Sequence, residues 1–91
     1  MKFKSDKDFS SDAEILKIIG HPIRLKIICG LSSGECNVKH IWEFLGLPQS
    51  VVSQHLALLK NAGIITGKRV GVEVRYTVVH PLAKKIIEIL G

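Results

Sequence analysis

No stretch of this sequence approaches the roughly 20 consecutive apolar residues that a bilayer-spanning helix requires, so no membrane partner is expected. The opening MKFKSDKDFSSD has no apolar run after its lysines, so it does not read as a secretory signal. Two cysteines, Cys29 and Cys36, are too few for a secreted disulfide scaffold, and a cytoplasmic protein with reduced thiols is expected. A glycine-rich phosphate loop, a nucleophile elbow and a carboxylate pair in a pocket context are all missing. Ser53 and His55 lie two residues apart, so they do not face each other on a helix. An enzyme is therefore not expected. Internal repeats, low-complexity tracts and linkers are absent too. Residues 1–91 read as one small domain, with 1–10 as a charged, partly ordered N-terminal arm.

What is present points elsewhere. Thirteen Lys and Arg against eight Asp and Glu give a net charge of +5, which predisposes a small domain towards nucleic acid or another anionic surface. Apolar residues make up 46% of the chain, more than a single small core easily hides, which favours burial against a second copy.

The stretch LPQSVVSQHLALLKNAG, residues 47–63, carries the most specific pattern. Val52, Leu56 and Leu59 fall at i, i+4 and i+7 and form a narrow apolar seam. Gln49, Ser50, Ser53, Gln54, Ala57 and Lys60 fall mostly on the other side, and no carboxylate lies between Pro48 and Ala62. Hydroxyls and amides can bond base edges, whereas a carboxylate there would meet phosphates unfavourably. The plain alternative is an amphipathic helix with a solvated polar face. Pro48 suits a first helical turn, and Gly63 suits a helix end.

The remaining elements follow in order. Ser11 and Asp12 offer caps for a first helix through Ala13, Ile15, Leu16, Ile18 and Ile19, stopping before Gly20. His21-Pro22 opens a second helix with Ile23, Leu25, Ile27, Ile28 and Leu31 inward, and with Arg24 and Lys26 towards solvent or DNA. After the break at Ser32-Ser33-Gly34, Asn37 caps a third helix around Val38, Ile41, Trp42 and Leu45 that ends at Gly46. A short glycine-containing connection into the next helix makes a helix-turn-helix pattern. Ile64 to Thr66 then reads as a strand, 67–71 as a basic loop and Val72 to Val79 as a second strand of strict period two. The result is a hairpin with Lys68, Arg69 and Arg75 near a cationic tip. Pro81 starts a last helix from Leu82 to Leu90. The expected fold is mainly α with a small β-hairpin: a winged helix-turn-helix of about five helices in the order α-α-α-α-β-β-α, assembled as a homodimer.

Three segments, IIGHPIRLKIICGL (18–31), LPQSVVSQHLALLKNAGII (47–65) and GKRVGVEVRYTV (67–78), resemble the ArsR/SmtB family of bacterial and archaeal winged-helix repressors. The resemblance spans residues 18–78, roughly two thirds of the chain, and rests above all on the SxVSQHLxxLxxAGxI pattern followed by a basic hairpin ending in RYTV. It implies a transcriptional repressor that binds a palindromic double-stranded DNA operator and leaves it when an effector binds. Position by position, it implies that Gln49, Ser50, Ser53 and Gln54 enter the major groove, and that Lys68, Arg69 and Arg75 of the wing reach phosphates or the minor groove; Lys60, on the same outer face by its spacing, is expected to contact DNA with them. It also implies a dimer interface built from the first and last helices, through Ile15, Leu16, Ile19, Leu82, Ile86, Ile89 and Leu90. His55, within the family's SxHL pattern, is expected to pack and hydrogen-bond inside the domain.

The resemblance also directs attention to sensing sites. The arsenic and cadmium sensors of the family carry a CVC-type motif whose cysteines align here with Asn37 and Lys39, and Cys36 is one place off. A soft-metal site needs two or three convergent thiolates, so none of that type is expected. On the last helix only His80 and Glu88 are available for a zinc-type site, with Lys84 and Lys85 between them. Cys36, His40 and His80 remain weak metal candidates, and no cofactor is assigned. Cys29 stands where sulfide- and redox-sensing members have a second-helix cysteine, but their partner cysteine in the last helix is missing here. A Cys29–Cys36 thiol switch is the remaining option; the alternative is that Cys29 is a small core residue.

Overall fold

The computed structural model describes residues 6–33 and 38–91. Its elements are α1 (Ser10–Ile19), α2 (Pro22–Ser32), α3 (Val38–Leu45), α4 (Gln49–Asn61), β1 (Ile65–Val70), β2 (Glu73–Val78) and α5 (Pro81–Leu90), which is the expected order. The expected break at Gly34, the Asn37 cap and Cys36 lie outside the described residues.

Prolines and glycines set most of the boundaries, and two histidines complete them. His21 and His80 each precede a proline at the first position of a helix, and each ring accepts a backbone N–H through Nδ1. His21 takes that of Ile23 at 3.1 Å, and His80 that of Leu82 at 3.2 Å. An imidazole thus does the work usually given to Ser, Thr, Asp or Asn. At the start of α1 the cap differs from expectation. Helix α1 begins at Ser10, before Ser11 and Asp12, and the Asp8 carboxylate accepts both the Ser10 N–H at 2.9 Å and its hydroxyl at 2.6 Å. That pairing holds the Asp8 carboxyl below the usual carboxylate range.

Helix α4 follows Pro48, which stands at the cap position instead of in the first turn, and ends at Gly63 with φ of 75°. The Ile64 N–H returns to the Leu59 carbonyl at 3.0 Å, and both side chains are fully buried, so a left-handed glycine and an apolar contact close this helix together.

The seams predicted for α2 and α4 meet in one core. Ile27 and Ile28 from α2, Val52 and Leu59 from α4 and Ile64 leading into β1 are almost wholly excluded from water. α1 packs on α2, α4 and α5, while α3 bridges α2, α4 and β2. Ile15 and Ile19 of α1 belong to this intrachain core, so they are not free to form a face against a second copy. Arg24 also departs from expectation: it is half-buried, and its Nε donates to the Ile18 carbonyl at the end of α1.

The hairpin is longer than its sequence suggests. Gly67 to Val70 form strand instead of loop, and β1 and β2 pair antiparallel with Lys68 opposite Arg75 and Val70 opposite Glu73. Only Gly71 and Val72 remain as the turn. Gly71 has φ of 65° and Val72 has no positive φ, the pattern of a II′ turn with glycine first. Gly67 survives inside a strand because the Tyr76 ring lies over it; a Cβ at Gly67 would come within 2.9 Å of that ring.

Candidate nucleic-acid interface

With Val52, Leu56 and Leu59 buried, helical geometry turns Gln49, Ser50, Ser53, Gln54, Ala57 and Lys60 outward, and all six are exposed. They form a continuous stripe along α4 that carries hydroxyls, amides and one cation, without a carboxylate. Packing of α4 on β1 and of α3 on β2 holds the hairpin beside this stripe. Between them runs an open cleft of about 470 Å³ that brings Gln49 and Ser53 to the wing residues Val72, Glu73 and Val74.

The wing cations are placed differently from one another. Lys68 and Arg75 stand opposite each other on one face of the ribbon, whereas Arg69 pairs with Val74 on the other. All three are exposed. None lies at the tip, which presents Val72, 95% exposed, flanked by Val70 and Glu73. The tip is thus apolar with an acidic neighbour, and the cations sit further back on the strands. Sequence reasoning missed Lys39 and Trp42, which line the same cleft from α3. The resemblance marks Lys39 only by its alignment with a cysteine; its spacing within a helix-turn-helix is the available signal.

Behind the stripe, His55 of α4 is half-buried, as is Val51 one turn before it. Arg24 Nη1 lies 3.3 Å from its Nδ1, and the His21 and His55 ring centroids are 4.8 Å apart. Burial, then the neighbouring His21, then the Arg24 charge push the His55 pKa below its ordinary value. The expected packing and hydrogen-bonding role is what the geometry shows.

The sensing candidates do not converge among the described residues. Cys29 is half-buried and unbridged, and Cys36 lies outside the description. His80 has its Nδ1 engaged in the α5 cap, His40 is exposed on α3, and Glu88 lies 3.6 Å from Lys85. Among the described residues no three His, Cys, Asp or Glu side chains are grouped to hold a metal ion. Nor is any helix among them long and apolar enough to cross a membrane. Of the residues assigned to a dimer face, Leu16, Ile89 and Leu90 are exposed at 48%, 80% and 60%, and Leu82 and Ile86 are half-buried.

Comparison with known proteins gives the same architecture. Residues 21–66 match the family model described as bacterial regulatory protein, arsR family. The transcriptional repressor PagR of Bacillus anthracis is 41% identical over 81 residues, covering 88% of this chain and 81% of that protein. The transcriptional repressor SmtB of Mycobacterium tuberculosis is 38% identical over 82% of this chain, which spans 56% of that relative's length. The solved structure of HlyU from Vibrio cholerae superposes with a TM-score of 0.87 at 32% identity, covering 94% of each chain.

Proposed function

The chain belongs to the arsR family of bacterial regulatory proteins, and from that premise we propose that it is a homodimeric repressor of a palindromic DNA operator, acting in the cytoplasm. The supporting observation is the α4 stripe: Gln49, Ser50, Ser53 and Gln54 are exposed together, with no acid among them, beside a wing bearing Lys68, Arg69 and Arg75. In this reading the hydroxyls and amides meet base edges in the major groove, while the wing cations and Lys60 meet phosphates. Two copies related by a twofold axis set their α4 helices about 34 Å apart, one helical turn of DNA. Binding in one major groove then aligns the second copy with the next. The α1 and α5 faces supply the contact between copies.

Fluorescence anisotropy and nuclease footprinting with DNA from upstream of the protein's own gene test this. The expected result is saturable binding, protection of a palindrome, and affinity that falls steeply with salt as counterions are released. Absence of protection on any palindrome at low salt defeats the proposal. A reporter gene under that operator separates repression from activation, a distinction of interest because the HlyU relative in Vibrio cholerae is named a transcriptional activator.

A further inference from the structure

Helix α2 contains an interior glycine that its backbone does not require. Gly30 lies between Cys29 and Leu31 within unbroken helix, and it is not among the glycines with positive φ. A Cβ placed on it would meet nothing within 4 Å. Such a glycine destabilises a helix by roughly 0.5–1 kcal/mol relative to alanine, and neither conformation nor crowding offsets that here. What Gly30 supplies is room. It forms part of the wall of a cavity of about 280 Å³ between α2 and α3.

The walls define what would fill this space. Ile27, Ile41 and Leu45 give it an apolar floor, and the Phe44 ring at its edge is 83% exposed. Water against an aromatic ring beside an apolar hollow is unfavourable, and an apolar body laid there would displace it. Lys26 from α2, Ser33 at the end of that helix and His40 from α3 provide the polar rim, and no Asp or Glu is among the described lining residues. We infer that this cavity binds a small anionic amphiphile, an aromatic or short aliphatic carboxylate, with its body against Ile41 and Phe44 and its head at the Lys26 ammonium. The volume, about 280 Å³, lies just below the range of about 300–1,000 Å³ typical of ligand pockets, which suits a small molecule and not a peptide. Among the described residues the cavity shares no lining residue with the cleft between α4 and the wing, so the inference does not depend on DNA binding.

Titration of the full chain with octanoate, naphthoate and the uncharged naphthamide, followed through backbone amide shifts, tests the site. Both carboxylates should saturate with Kd below about 1 mM, moving the amides of Lys26, Gly30, His40 and Phe44, and naphthamide should bind about tenfold more weakly. Gly30→Leu fills the space with a better helix former and should weaken both carboxylates about tenfold or more. Phe44→Ala, at an exposed position that folding does not need, should weaken them as well. Lys26→Gln should weaken the carboxylates and leave naphthamide unchanged. The inference is overturned if neither carboxylate saturates, if the shifts cluster elsewhere, or if naphthamide matches naphthoate. Parent-like binding by a folded Gly30→Leu, or by Phe44→Ala, also overturns it.

Discussion

The Arg24 guanidinium and the His55 imidazole meet with Nη1 3.3 Å from Nδ1, joining α2 to the helix proposed to read DNA. Arginine has no acceptor, so Nδ1 must accept, which leaves the neutral ring with its proton on Nε2. Through Nε the same guanidinium donates to the Ile18 carbonyl, so one side chain ties α1, α2 and α4 together. Protonating His55 removes the acceptor and places a second cation against Arg24.

Stability should therefore depend on pH in a defined direction. The His55 pKa is lowered in the folded state by burial, by His21 and by Arg24. The unfolded chain then binds the proton more readily, so stability rises with pH across this window. It should be complete above the usual histidine value of about 6.5, and should fall as the pH drops from there through the depressed folded value. Urea unfolding at several pH values checks this. His55→Gln should flatten the slope, and an unchanged slope would remove His55 as its cause.

Gly67 and Tyr76 give a second prediction. A methyl group on Gly67 would lie 2.9 Å from the Tyr76 ring, closer than side chains tolerate, so ring or strand must shift. Gly67→Ala should destabilise the fold by roughly 1–3 kcal/mol, as overpacking does. Adding Tyr76→Leu should make the second change less damaging than it is alone, because the tightest contact is relieved and only Val74 Cγ1, at 3.3 Å, stays close. Strict additivity in the double-mutant cycle would contradict this account.

Such contacts show which parts of the molecule were readable in advance. Element order was legible because periodicity switches from helical to alternating after Gly63, and because Pro22, Gly46, Gly63 and Pro81 mark boundaries in one dimension. The true length of β1 was not. Glycine followed by two cations resembles a loop until the Tyr76 ring, nine residues on, is seen to cover Gly67. Charge alone points Arg24 outward, because its partners Ile18 and His55 lie on other helices. The same holds for Ile15 and Ile19: spacing identifies an apolar face but not whether its cover is intrachain. The exposed polar stripe of α4 needed no tertiary knowledge, because the seam of Val52, Leu56 and Leu59 fixes its opposite side.

Lys68 and Arg75 should show a conflict between stability and binding. Like charges directly opposite on a two-stranded ribbon repel, and cross-strand pairs are worth about 0.2–1 kcal/mol. Lys68→Thr should therefore raise stability by a fraction of that range. If the pair faces phosphates, the same change should weaken operator binding and reduce the log–log salt slope by about 0.9 per copy, about 1.8 for the dimer. Unaltered affinity and slope would remove Lys68 from the interface.

The apolar residues at the two ends of the chain should separate assembly from folding. Ile89 and Leu90 on α5 and Leu16 on α1 remain exposed, and α1 packs against α5, whereas Ile19 is almost fully buried within the chain. Ile89→Lys should leave the thermal transition of the isolated chain almost unchanged and shift sedimentation from dimer to monomer. Ile19→Ala should instead lower stability by about 2–5 kcal/mol through the cavity it leaves. Operator affinity should fall with Ile89→Lys as well, because one copy alone meets a single half-site and the second groove contact is lost. A parent chain that sediments as a monomer, or an Ile89→Lys variant that remains dimeric, would move the contact between copies away from α5.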